Sequence, residues 1–171
     1  MTFEEWARVG LPKLLRFATV LCGSGDLAAD LVQDVAVKAH RHWDRVATAD
    51  SPNAYLRKML VNEYLSWRRK WSRFVPRAEI VPSEQIADHA NQQADRDQLL
   101  TELAKLPRRQ RAVLVLRYFG GLSDPEIAET LGCSASTVRA HASRALAALR
   151  IEMAAPQTFH HPSRPGVTHA H

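Results

Sequence analysis

The chain has 171 residues, 46% of them apolar, and a formal net charge of +5. That length admits one domain or two small ones, the apolar content excludes wholesale disorder, and the basic balance favours an anionic partner, nucleic acid before membrane. No apolar run is long enough to span a bilayer, and Glu4 and Glu5 stand where a secretory signal would carry lysines, so a cytoplasmic protein is expected.

Phe3 to Leu21 reads as one amphipathic helix that Pro12 could bend or split. Gly23 is its expected C-terminal stop and Asp26 the N-cap of the next helix. That second helix runs to about Trp43, with Leu27, Leu31, Val35 and Ala39 as a buried stripe at successive i+4 positions. It also carries an acidic-polar patch of Asp30, Gln33 and Asp34, which suits either a solvated face or docking onto a basic protein surface. A polar loop from Asp44 to Asp50 leads to Ser51-Pro52, where Ser at the N-cap and Pro at the first helical position start a third helix. This helix is expected to reach about Phe74.

Between Arg57 and Arg77 stand seven Lys or Arg (Arg57, Lys58, Arg68, Arg69, Lys70, Arg73, Arg77) against one acid, Glu63. Tyr64, Trp67, Trp71 and Phe74 share one helical face of this stretch, as core or as rings that stack on unpaired bases while the cations hold phosphate. From Ala78 to Asp95 the sign reverses, with four acids and no Lys or Arg over 18 residues. Such a linker spans at most about 60 Å extended, enough to let two helical blocks dock at separate places.

The second block begins near Arg96. Leu99, Leu103 and Leu106 mark a helix that ends at Pro107, and Arg108 to Phe119 a second, stopped by Gly120-Gly121. Ser123-Asp124-Pro125-Glu126 is a capping box with Pro in the first turn. Ile127, Ala128 and Leu131 face a core, and Gly132 supplies the left-handed residue that ends the helix. Ser134 caps the next one, buried through Val138, Ala142, Ala145 and Leu149. Two short helices joined by a Gly-containing turn form the helix-turn-helix of major-groove readers. Ser136, Thr137, Arg139, Ser143 and Arg144 then lie on its exposed face, near His141, and Arg can donate two bonds to a guanine edge. Cys22 and Cys133 read as small buried apolar groups rather than a disulfide. The Pro- and His-rich segment 153–171 reads as a disordered tail, and its histidines have no Cys or acid nearby to complete a metal site.

On the stretches Asp30-Leu31-Val32-Gln33-Asp34, Ala54-Tyr55-Leu56-Arg57 through Trp67-Arg68-Arg69, and Leu106 through Arg111 into Thr137-Val138-Arg139, the chain resembles the extracytoplasmic-function sigma factors of the sigma-70 family. The likeness is to their SigE-like actinobacterial branch. It implies an all-α fold of two small helical domains joined by a flexible linker: sigma region 2 at 1–75, a linker at 76–95, a region 4 helix-turn-helix at 96–152 and the tail at 153–171.

It further implies that Asp30, Gln33 and Asp34 bind the clamp coiled coil of the largest subunit of core RNA polymerase, with the flap as a second polymerase contact. Tyr55, Arg57, Lys58, Asn62, Trp67, Arg68 and Arg69 would engage the −10 element of promoter DNA. The loop Asp44 to Asn53 would cradle a flipped base, and Ser136, Thr137, Arg139, Ser143 and Arg144 would read the −35 element. His141 departs from the Arg of many relatives. The resemblance implies no cofactor, no metal and no catalytic residue, since polymerase supplies the chemistry, and leaves open an anti-sigma partner. A helix-turn-helix activator of the response-regulator type is the alternative, although it needs a domain of alternating strands and helices that residues 1–75 do not offer. A helical enzyme built on Cys22 or a histidine lacks a paired acid or base.

Overall fold

The computed structural model describes residues 1–71 and 90–154, and the side chains of residues 1–66 and 94–150. The expected tail from residue 155 onward and the linker up to residue 89 lie outside the described residues. Four helices form the N-terminal half: α1 (Phe3–Cys22), α2 (Gly25–Arg41), α3 (Trp43–Ala47) and α4 (Pro52–Trp71).

Thr2 and Glu5 close a capping box at the start of α1, and Pro12 is accommodated within a single unbroken helix. Gly23, left-handed at φ 70°, ends it by donating its N–H to the Thr19 carbonyl. The cap of α2 is Ser24, not the expected Asp26. The Ser24 hydroxyl accepts from the Leu27 N–H, and Asp26 sits instead in the first turn, where its charge suits the helix dipole. The buried stripe is correspondingly wider than expected: Ala28 and Val32 join Leu31, Val35 and Ala39, and Leu27 is only half-buried.

The polar loop expected after α2 contains α3. Two apolar residues draw it inward: Val46 is fully buried, and Trp43 packs on Phe3 and Trp6 with ring centroids 5.4 and 5.6 Å away. Ser51 then caps α4, its hydroxyl accepting from the Ala54 N–H at 3.3 Å, and Leu56, Leu60, Val61 and Tyr64 turn into the core.

The C-terminal half contains α5 (Ala90–Lys105), α6 (Arg108–Leu114), α7 (Asp124–Leu131) and α8 (Ala135–Ala154). The single helix expected from Arg108 to Phe119 ends instead in a π-helical turn, Val115–Phe119. The wider turn is closed by the Gly120 N–H on the Val115 carbonyl at 2.8 Å. Tyr118 and Phe119 face outward from it. Of the leucines expected to bury α5, Leu103 and Leu106 do so, while Leu99 lies on the rim of an apolar groove of about 400 Å³ with Leu100, Tyr118 and Leu149.

The two halves lie against each other, and their buried residues form one continuous cluster. Arg111 of α6 stitches them together. Only 6% exposed, it donates to the Leu21 and Cys22 carbonyls at 3.2 Å each, and also to Ala104. Beside it, Arg108 lies 4.8 Å over the Tyr64 ring and donates to the Tyr64 carbonyl at 2.6 Å. Among the described residues both cysteines are free thiols, Cys22 buried and Cys133 half-buried. Leu60, fully buried in α4, tests the core: Leu60→Ala is expected to destabilise by about 2–5 kcal/mol, read as a lower urea midpoint of the helical circular-dichroism signal.

Candidate nucleic-acid interface

The helix-turn-helix is built as its local chemistry dictates. The Glu126 carboxylate reaches back to accept from the Ser123 N–H at 2.7 Å and the Ser123 hydroxyl at 2.6 Å. This reciprocal cap fixes where α7 begins, and it holds the Glu126 carboxyl below its ordinary pKa. Gly132, at φ 63°, reverses the chain, and the Cys133 N–H closes the turn on the Ala128 carbonyl at 3.0 Å. Ser134 starts α8 by accepting from the Thr137 N–H at 3.1 Å, while its hydroxyl lies 2.8 Å from those of Ser136 and Thr137.

Val138, Ala142, Ala145 and Leu149 are all buried, which orients the opposite face of α8 toward solvent. Ser136, Arg139, Ser143 and Arg144 are exposed and Thr137 is half-buried. The five residues expected to read a duplex therefore share one accessible face. His141 sits at its edge, half-buried, and its Nδ1 has no hydrogen-bond partner.

The expected single-strand contacts on α4 are differently placed. Asn62 is exposed and Tyr55 half-buried against the core. Arg57 donates to the Gly120 carbonyl at 3.2 Å and Lys58 pairs with Glu129 at 3.1 Å, so both face the C-terminal half. Tyr64, one of the four aromatics on the shared face, is core, 3% exposed. The side chains of Trp67, Arg68, Arg69, Trp71 and Phe74 lie outside the described ones. The loop expected to cradle a base is shortened by α3 to Thr48 through Ser51, of which Ala49 to Ser51 border a cleft of about 520 Å³ with Arg57, Glu126 and Glu129.

On α2, Asp30, Gln33 and Asp34 are exposed together, opposite the buried Leu31 and Val35. Glu63 of α4, the lone acid of the basic stretch, binds Lys38 of α2. Sequence reasoning did not single out Arg108 and Arg111 as ties between the halves. The available signal was Arg111 itself, a cation adjoining the unbroken apolar run Ala112-Val113-Leu114-Val115-Leu116. Among the described residues no helix is long and apolar enough to cross a membrane, and no group of three or more His, Cys, Asp or Glu could hold a metal ion.

Residues 8–74 match the family model for sigma-70 region 2, and residues 96–149 that for sigma-70 region 4. The chain is 37% identical to an RNA polymerase sigma-E factor of Streptomyces avermitilis, over 90% of this chain and 86% of that one. It is 30% identical to the ECF RNA polymerase sigma factor SigL of Mycobacterium tuberculosis, over 88% and 86%. Among solved structures it is similar to the sigma factor RpoE of Bartonella quintana, crystallised with the anti-sigma factor NepR. There the TM-score is 0.69 at 28% identity, covering 88% of this chain and 96% of that one.

Burial, and then the positive charges of Arg144 and Arg109, push the His141 imidazole below its ordinary pKa, so it is neutral at pH 7. A proton-detected titration should place its midpoint below 6.5, and Arg144→Ala should raise it by removing a like charge. A folded pKa below the unfolded one means that His141 destabilises the fold as pH drops through the unfolded value, and His141→Gln should flatten that slope.

Proposed function

The chain belongs to the sigma-70 family of RNA polymerase sigma factors, in the extracytoplasmic-function group, and from that membership we propose how its parts divide the work of promoter recognition. Residues 1–75 act as the region that binds polymerase and opens the −10 element, 76–95 as a linker, and 96–152 as the region that reads the −35 element. The observation that carries the reading is the accessible face of α8. Arg139 and Arg144 stand there beside the hydroxyls of Ser136, Thr137 and Ser143, on a helix whose other face is fully committed to the core. Arg139 near the helix start reads a base edge, and the hydroxyls and Arg144 hold phosphates and register.

Asp30, Gln33 and Asp34 dock on the clamp coiled coil of the largest polymerase subunit, whose complement must be basic. The apolar groove beside Leu99 and Tyr118 is suited to an apolar helix such as the polymerase flap would offer. Tyr55, Arg57, Lys58, Asn62, Trp67, Arg68 and Arg69 grip the −10 strand once it is single. The bound NepR of the Bartonella structure supports an anti-sigma protein as a further partner. Recognition is this chain's contribution and RNA synthesis the polymerase's, which makes the chain a non-enzymatic, cytoplasmic initiation factor. The activator alternative is not supported, because residues 8–74, where it would carry a receiver domain, match sigma-70 region 2.

Arg139→Ala should weaken binding at one −35 position by about 1–3 kcal/mol while leaving other positions unaffected. Competition binding with a base-by-base substituted duplex reads this out, and an equal loss on every sequence would reassign Arg139 to a phosphate. Asp34→Arg should abolish co-elution with core polymerase without changing the circular-dichroism spectrum. Unaltered co-elution would remove α2 from the polymerase interface.

A further inference from the structure

The start of α4 is held by α1. The Trp6 indole, only 5% exposed, donates its N–H to the Asn53 amide oxygen at 2.8 Å. Its ring packs on Trp43 and Phe3 at 5.6 and 6.0 Å between centroids. It also lies back along its own helix over Gly10, where a Cβ would run into the indole. Trp43 in turn donates to the Met1 carbonyl at 3.0 Å. The aromatic group therefore braces both ends of the short loop from Thr48 to Ser51, through Trp43 at the start of α3 and through Trp6 at the start of α4.

An indole N–H can only donate, so this bond settles which way the Asn53 amide faces: its oxygen meets Trp6 and its NH2 group points away. Asn53 is exposed, just past the Ser51 cap, and among the described residues nothing takes its two N–H donors. The amide cannot turn over to offer its oxygen instead, because the buried Trp6 N–H would lose its acceptor, and a buried donor without a partner is costly. A neutral side chain that ordinarily both donates and accepts is thereby made to present donors alone. The two pyrimidines answer such a group differently. Cytosine accepts at both N3 and O2 of its pairing edge, whereas thymine carries an N–H at N3, and two donors facing each other leave both unpaired.

We propose that Asn53 selects the unpaired base that meets this loop, donating from its NH2 group to cytosine in preference to thymine, with Trp6 as its positioning residue. Gly10 is the gap that admits the indole. The inference rests on the reading of α4 as the grip on the single −10 strand. A site arranged to hydrogen-bond one edge rejects an edge that leaves its polar groups unpaired, so selectivity here comes from a held orientation and not from added charge.

The full chain bound to core polymerase, selecting from single-stranded DNA randomised across the −10 positions, reports base preference position by position. The wild type should enrich cytosine over thymine about tenfold at one position. Asn53→Asp keeps an acceptor for Trp6 and replaces the outward donors with an acceptor oxygen, so it should reverse the preference there and leave the other positions alone. The added negative charge weakens binding to every sequence alike and does not move the ratio. Trp6→Phe keeps a ring and removes the N–H, which frees the amide to turn over, and the preference at the same position should fall to near none. Gly10→Ala should act in the same direction by displacing the indole. Because Asn53 is exposed, Asn53→Asp carries the test even if a change in the aromatic group lowers helical content. An unchanged cytosine-to-thymine ratio in Asn53→Asp overturns the inference, and so does a loss of preference spread evenly over all positions. A wild type that enriches no base at any −10 position would remove the reading of α4 itself, and this inference with it.

Discussion

The Arg111 guanidinium holds the described structure in one piece. Burying a cation in an apolar cluster costs several kcal/mol unless its donors are met, and here three carbonyls meet the two terminal nitrogens, those of Leu21 and Cys22 at the end of α1 and that of Ala104 near the end of α5, while the buried Nε has no partner. The last turn of α1 has no basic residue of its own, so the cation that its dipole favours comes from α6, 89 positions away. Neither half satisfies Arg111 alone. The Cys22 thiol beside it is pushed up to about 11 by burial, so it stays neutral and packs as a small apolar group, not as a redox centre.

With the halves packed together, an acidic patch faces out from α2, a basic face from α8, and Arg57 and Lys58 of α4 reach the Gly120 carbonyl and Glu129, the latter in a solvent-exposed pair. On the proposed division of the DNA contacts, two modest grips held on one polymerase would give high combined affinity, because the second contact is intramolecular. Neither grip then needs to bind tightly by itself.

Much of this was legible in the sequence where a residue type has one local use. Gly23 and Gly132 both adopt the left-handed conformation that ends a helix, Ser123 and Glu126 pair as a capping box must, and the stripe Val138, Ala142, Ala145 and Leu149 is buried in full. Local patterns failed where tertiary contacts decide. Trp43 and Val46 turn an apparent polar loop into α3, because Trp43 packs on the rings of Phe3 and Trp6 and Val46 is fully buried. The π turn at Val115–Phe119 has no signature in hydrophobic periodicity, which cannot tell a wide turn from an ordinary one. Arg57 and Lys58 read as cations that hold phosphate, and nothing near them in sequence reveals that Gly120 and Glu129, more than sixty positions on, would face them. The exposed face of α8 was foreseeable from caps and periodicity alone, whereas the contacts of the α4 cations with the C-terminal half were not.

A sigma factor directs polymerase to promoters, and run-off transcription by core polymerase on a pool of promoter fragments, with and without the full chain, measures this. Transcripts of discrete length should appear from a subset of fragments only when the chain is added. Binding of those fragments by the chain alone, with no change in what core polymerase transcribes, would mark it as a DNA-binding protein of another kind.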